Sequence, residues 1–210
     1  MRAYLMEFIG TFFLVFTIGL VVIQGVAMAP LAIGFALMVM VYAGGHVSGG
    51  HYNPAVSLGA VLRGALPMRE LLPYWISQVL GALVAAWIAR VVAGGAFTVA
   101  PGPDAGWLPA LLTEFLFTFA LVMVVLASAT AKDTNGNSFY GLAIGGTVAV
   151  GAFAGGAISG GAFNPAVGIG PIVVDAFAGG GVGQLWLYIV GPLLGGVLAA
   201  AVFPLLHPEG

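Results

Sequence analysis

One thirteen-residue block occurs twice in this chain, and the duplication constrains the fold more than any other feature. Gly44-Gly45-His46-Val47-Ser48-Gly49-Gly50-His51-Tyr52-Asn53-Pro54-Ala55-Val56 recurs 111 positions later as Gly155-Gly156-Ala157-Ile158-Ser159-Gly160-Gly161-Ala162-Phe163-Asn164-Pro165-Ala166-Val167. The stretches ahead of the copies match as well. Met6-Glu7-Phe8 has Thr11 four residues after its Glu, and Thr113-Glu114-Phe115 has Thr118 four residues after its own. An offset near half of 210 residues makes the chain two copies of one unit. How the copies are related depends on what lies between them.

Only 6% of the residues are charged and 61% are apolar, whereas a soluble domain carries about 25% charged residues. Such a chain cannot clothe itself in a polar surface, which excludes a water-soluble enzyme. A net charge of −2 with only 5 Lys and Arg offers nucleic acid no electrostatic hold. Without cysteine there is no disulfide, thiolate metal site or Cys nucleophile. Lipid is the implied solvent, and it demands about 20 helical residues per crossing. Six apolar stretches reach or approach that length, at about 3–25, 30–45, 70–93, 107–130, 138–157 and 182–206. Two shorter ones, about 53–62 and 164–174, would rise only about 15 Å, half a membrane.

Each half thus carries three crossings. Because three is odd, the second copy enters the membrane from the opposite face, as in an inverted repeat. The expected fold is an all-α membrane protein of six transmembrane helices plus two re-entrant half-helices. Residues 1–210 read as a single domain, with repeats at approximately 1–98 and 107–210 joined by a loop at 94–106. Arg2, Arg63, Arg69 and Lys132 fall on one side and Arg90 alone on the other, so both termini are expected to be cytoplasmic and the 94–106 loop external. Glu7 inside the first apolar run argues against a cleaved signal peptide. Which membrane holds the chain is not written in it.

Asn-Pro-Ala is a helix start. Asn is a leading N-cap residue, and Pro suits the first helical position, where its missing N–H is no loss. Glycines upstream are expected to let the chain run non-helically into the membrane, where protein or water must satisfy its backbone. Two half-helices entering from opposite faces would bring their positive poles to one spot near the midplane. A cation or migrating proton is disfavoured there, and a neutral hydrogen-bonding solute is not. Asn53, Pro54, Ala55, Asn164, Pro165 and Ala166 are therefore the candidate constriction, with both Asn amides as donors.

Glu7 and Glu114 admit two readings: proton-relay carboxylates within the spans, or acceptors for the orphan backbone N–H groups of the re-entrant loops. The second is preferred. His46 and His51 lie five apart, but no third ligand is near and the second copy has Ala157 and Ala162 there, so loop bracing or pore-mouth hydrogen bonding is preferred over a metal site or pH gating. No metal and no cofactor is expected. Gly81-x-x-x-Ala85 and Gly191-x-x-x-Gly195 suit close helix crossings. Trp107, Trp186 and Tyr188 suit the interface.

These residues resemble the aquaporins, or major intrinsic proteins, over essentially the whole chain. The likeness rests on the Glu-x-x-x-Thr starts, both Asn-Pro-Ala boxes, the Ser48–Val56 loop and Val190-Gly191-Pro192. It implies a passive channel through each protomer, usually of a homotetramer, with membrane lipid around it. It also implies a second constriction, which in orthodox water channels uses an aromatic, a His and an Arg directly after the second box. Here those places fall on Ile33, Ala152 and Val167, with Gly161 as the fourth; Phe153 would intrude if its span were rotated. Val167 followed by Gly170-Pro171, and Phe153-Ala154-Gly155-Gly156-Ala157, look like the tonoplast intrinsic branch, associated with water plus ammonia, urea or hydrogen peroxide. The glycerol branch usually has Arg-Asp where Val167-Gly168 stands. Water and small uncharged solutes, glycerol among them, are the expected cargo. The alternatives are a proton-coupled secondary transporter, which shares the inverted repeat, and a junctional scaffold with a closed pore.

Overall fold

The computed structural model describes residues 1–208. Six long apolar helices, α1 (Arg2–Ile23), α2 (Ala29–Ser48), α4 (Met68–Ala93), α5 (Trp107–Ala129), α6 (Tyr140–Ser159) and α8 (Leu185–Leu206), are each long enough to cross a membrane. Between them lie two short helices, α3 (Pro54–Leu62) and α7 (Pro165–Ala176), of 9 and 12 residues. At 1.5 Å per residue these rise about 14 and 18 Å, so neither crosses alone. A single 3₁₀ turn, Lys132–Thr134, links α5 to α6.

Packing repeats with the sequence. In the first half α1 lies against α4, in the second α5 lies against α8, and α2 crosses α6 between the halves. The short helices swap: α3 packs on α8 and α7 on α4. Lipid supplies no hydrophobic drive for helix association, so close backbone approach must supply the contact energy. Glycine makes that approach possible. At the α2–α6 crossing, a Cβ on Gly34 or on Gly145 would run into the other's carbonyl oxygen. Gly81 faces the Phe8 carbonyl and Gly195 faces the Phe115 carbonyl in matching places of the halves. In the swapped contacts, a Cβ on Gly196 would stand 2.8 Å from the Ala55 carbonyl and one on Gly170 2.7 Å from that of Ala82.

The glycines upstream of each Asn-Pro-Ala box divide between two roles. The farther pairs stay helical: α2 runs through Gly44-Gly45 to Ser48, and α6 through Gly155-Gly156 to Ser159. Only 49–53 and 160–164 are non-helical. The turn is made by paired left-handed glycines, Gly49 (φ 90°) with Gly50 (φ 64°), and Gly160 (φ 90°) with Gly161 (φ 68°). Gly44 serves packing instead, since together with Gly10 it leaves room for the buried Tyr52 ring. Tyr188 is no interfacial anchor: it is fully buried, with its hydroxyl donating to the Ser159 carbonyl at 2.6 Å. Trp107 and Trp186 do stay exposed, as a ring pair 6.1 Å apart.

The 94–106 loop does more than connect. Its Gly102 N–H donates to the Ile158 carbonyl at 3.1 Å, Phe97 fills the space beside Gly19, and Val99 packs on Gly160. The loop is thereby folded back onto the second re-entrant turn.

Candidate pore

The two re-entrant loops are held by carboxylates from the long helices. Glu7 of α1 accepts the Ser48 hydroxyl (2.6 Å) and the His51 N–H (3.0 Å) on Oε1, and the Tyr52 N–H (2.6 Å) and Gln78 amide (2.8 Å) on Oε2. Glu114 of α5 does the same for the second loop: Ser159 hydroxyl (2.7 Å) and Ala162 N–H (3.0 Å) on Oε1, Phe163 N–H (2.6 Å) on Oε2. Backbone N–H groups in lipid cannot be left unpaired, each costing about 1–3 kcal/mol or more. Both carboxylates are 0% exposed, and neither lines the central cavity. The geometry is that of a brace. Tyr74 and Tyr188 complete it from α4 and α8, donating to the Ser48 and Ser159 carbonyls at 2.8 and 2.6 Å.

Each brace delivers an Asn to the start of its half-helix. Asn53 and Asn164 sit in extended backbone as N-caps, and their Oδ1 atoms accept the Ala55 and Ala166 N–H groups, both at 2.9 Å. Their Nδ2 atoms reach across the repeat. Asn53 Nδ2 donates to the Phe163 carbonyl and Asn164 Nδ2 to the Tyr52 carbonyl, each at 2.9 Å. A carboxamide nitrogen carries two hydrogens, so one N–H per Asn remains beyond these bonds. Both Asn residues line the central cavity. The exchange of bonds also holds the two helix N-termini together, each equivalent to about half a positive charge. Tyr52 (φ 49°) and Phe163 (φ 48°) adopt left-handed backbone to turn their carbonyls toward the opposite Asn.

The cavity, about 170 Å³, is formed by both halves. Ile33, Ala152, Gly161 and Val167 all line it, and Phe153 does not, its ring lying 54% exposed on another face of α6. Among the lining side chains only His51, Asn53 and Asn164 are polar, and none is an acid, lysine or arginine. His51 Nδ1 stands 3.1 Å from Ser57 Oγ, which also accepts the Gln78 amide at 2.9 Å. His46 is placed elsewhere: it is exposed on the last turn of α2, away from the cavity, and makes no hydrogen bond among the described residues. The bracing expected of it falls to Ser48 and Tyr74. Among the described residues no group of three or more His, Cys, Asp or Glu could hold a metal ion.

The connecting loop also contributes to the lining, which the sequence did not point to. Val99, 7% exposed, reaches the cavity from the 94–106 loop, in contact with Gly160. Its sole trace in the sequence is an apolar pair, Phe97 and Val99, spaced like a strand in an otherwise loop-like stretch.

Comparison with known proteins agrees with this geometry. The family described as Major intrinsic protein matches residues 1–203. Aquaporin Z of Rhodopseudomonas palustris is 37% identical over 98% of this chain and 93% of its own. Glycerol uptake facilitator protein-like 6 of Lactiplantibacillus plantarum is 40% identical over 95% of each. The solved structure of the aquaglyceroporin from Plasmodium falciparum superposes with a TM-score of 0.85 at 21% identity, over 96% of this chain and 94% of that one, and so shares the fold. With two inverted halves, two braced Asn-Pro-Ala turns and a match along nearly its full length, the chain belongs to the major intrinsic protein family.

Proposed function

We propose that the cavity between the halves is the conduit of a passive channel, and that it passes water together with at least one neutral solute larger than water. The observation that carries this is the outer lining of Ile33, Ala152, Gly161 and Val167, four apolar residues where bulk and a fixed cation would otherwise narrow the path. Ammonia, urea, hydrogen peroxide and glycerol are the solutes of matching size and polarity. With no arginine at the lining, exclusion of protons and cations falls to the paired helix N-termini and the free Asn N–H groups. No covalent chemistry is involved, and transport runs down the osmotic or concentration gradient. The branch reading stays with the tonoplast-type channels on the strength of Val167 and Gly170-Pro171.

The positive-inside asymmetry supports cytoplasmic termini. The family likeness supports a homotetramer of single-domain protomers, each with its own conduit, surrounded by lipid. Burial of Glu7 and Glu114 away from the cavity removes both carboxylates from the proton-coupled alternative, for which His51 is then the one titratable side chain in the lining. Stopped-flow light scattering on vesicles holding the purified protein tests the proposal. Water and at least one of the four solutes should equilibrate faster than in empty vesicles, and Val167→Arg should slow the solute more than the water. Solute permeabilities all equal to those of empty vesicles would overturn the wide-filter reading. Failure of water to pass as well would favour a closed scaffold.

A further inference from the structure

The loop between α4 and α5 alternates in exposure as a strand would, although no strand pairs with it among the described residues. Phe97 and Val99 are buried, at 8% and 7%, while Ala96, Thr98 and Ala100 are exposed. Side chains two apart in an extended chain share a face and stand about 7 Å from each other. Here that shared face meets two different neighbours: Val99 lines the central cavity and Phe97 does not.

Phe97 sits in a notch between α1 and α4. A Cβ on Gly19 would lie 2.7 Å from its Cε1, 3.0 Å from its Cζ and 2.6 Å from the Ala89 Cβ, so the ring fills space that a glycine on α1 leaves open. Val99 and Ala100 rest on Gly160, where a Cβ would stand 2.8 Å from Val99 Cγ1 and 2.7 Å from the Ala100 carbonyl oxygen. Among the described residues, 95–101 make no hydrogen bond; the next tie is Gly102, whose N–H donates to the Ile158 carbonyl. Packing alone therefore holds this stretch, and Phe97 is its one large buried side chain.

We propose that Phe97 is a positioning residue for solute selection: by filling the α1–α4 notch, its ring fixes how far Val99 reaches into the cavity. The anchor and the wall it controls lie at different places, one at Gly19 and one at the conduit. A change that never touches the lining thus alters its width. The proposal rests on the conduit reading only in that solutes must pass the cavity for the effect to appear in flux.

Two readouts on the full chain in phosphatidylcholine vesicles test it. Stopped-flow light scattering, corrected for empty vesicles, gives the ratio of urea to water permeability, or of glycerol to water should urea not pass. That ratio does not depend on how much of the protein is folded. Phe97→Leu should raise it about threefold or more as the wall withdraws, and Phe97→Met, which keeps volume but not a rigid ring, should raise it less. Val99→Ala should raise it directly, and adding Phe97→Leu to Val99→Ala should change it little further, because Phe97 acts through Val99. A packing role alone would scale both permeabilities together. The chain has no cysteine, so a nitroxide on Thr98→Cys reports the exposed side of the same loop. Its spectrum should be broad beside Phe97 and narrow beside Phe97→Leu. Where neither solute outruns empty vesicles the wide-filter reading fails, and the nitroxide decides the anchor by itself. An unchanged ratio in Phe97→Leu when solute does pass, full additivity with Val99→Ala, or an unchanged spectrum overturns the assignment.

Discussion

Replacing Glu114 separates a brace from a proton relay. Its carboxylate accepts three hydrogen bonds from one loop: the Ser159 hydroxyl and the Ala162 and Phe163 N–H groups. Glu114→Ala leaves both N–H groups without a partner in a site with no solvent exposure. At about 1–3 kcal/mol for each orphaned donor, the loss is about 2–6 kcal/mol. The hydroxyl can turn to the Gly155 carbonyl, 3.4 Å away, and adds little. Glu114→Gln keeps one oxygen. Whichever way the amide is turned, its NH₂ faces one backbone N–H, so a single donor is orphaned and the cost is about 1–3 kcal/mol. Alanine should therefore destabilise about twice as much as glutamine, a gap of about 1–3 kcal/mol, or about fivefold to a hundredfold in the unfolding equilibrium. Denaturant unfolding in detergent micelles, followed by tryptophan fluorescence, measures the order. Stopped-flow water permeability on the same samples, scaled to folded protein, should remain in Glu114→Gln. A glutamine variant as stable as wild type yet unable to conduct would refute the brace and revive the relay.

Three further outcomes follow from the lining and the packing. The chain has no cysteine, so thiol-directed mercurials should leave water flux unchanged, whereas Val167→Cys, whose thiol would face the cavity, should make flux mercurial-sensitive and recoverable by a reducing thiol. Val99→Phe should slow urea or glycerol more than water, because the larger side chain stands in the wall of the central cavity; equal slowing of all solutes would argue for a collapsed loop instead. Gly10→Ala puts a methyl into the Tyr52 ring, which Gly44 blocks from retreating. Overpacking of this kind costs about 1–3 kcal/mol, and a second change, Tyr52→Leu, should recover part of it in the unfolding assay.

The duplicated block revealed most of this architecture because it carries its own physics. Asn-Pro starts a helix by capping and by ring geometry, so both half-helix starts could be placed to the residue. The carboxylates were legible for a similar reason: a glutamate repeated at the same distance ahead of each loop must meet repeated need, and backbone N–H groups in lipid are that need. Spacing alone did not show which atoms would pair. That the Asn amides bond the opposite loop's carbonyls depends on the left-handed backbone at Tyr52 and Phe163, residue types that do not announce positive φ. His46 misled because it shares the block with His51, although helix periodicity through Gly44-Gly45 turns it outward. Val99 was hidden because a loop residue reaches the cavity only through the folding back of a whole segment, and no local pattern encodes that.

The crossed bonds between the two Asn turns also bear on how the protein is made. The first turn leaves the ribosome with Asn53 and the Tyr52 carbonyl each missing a partner that lies more than a hundred residues later, on Phe163 and Asn164. A chain arrested after its third crossing therefore cannot finish its own half-helix start, however well Glu7 holds the loop. Those bonds can form only once Phe163 and Asn164 have entered the membrane from the opposite face, so the midplane cannot close before the second re-entrant turn is in place. A wrong topology of the later segments would leave the Asn53 amide and the Tyr52 carbonyl as unpaired polar groups within the membrane.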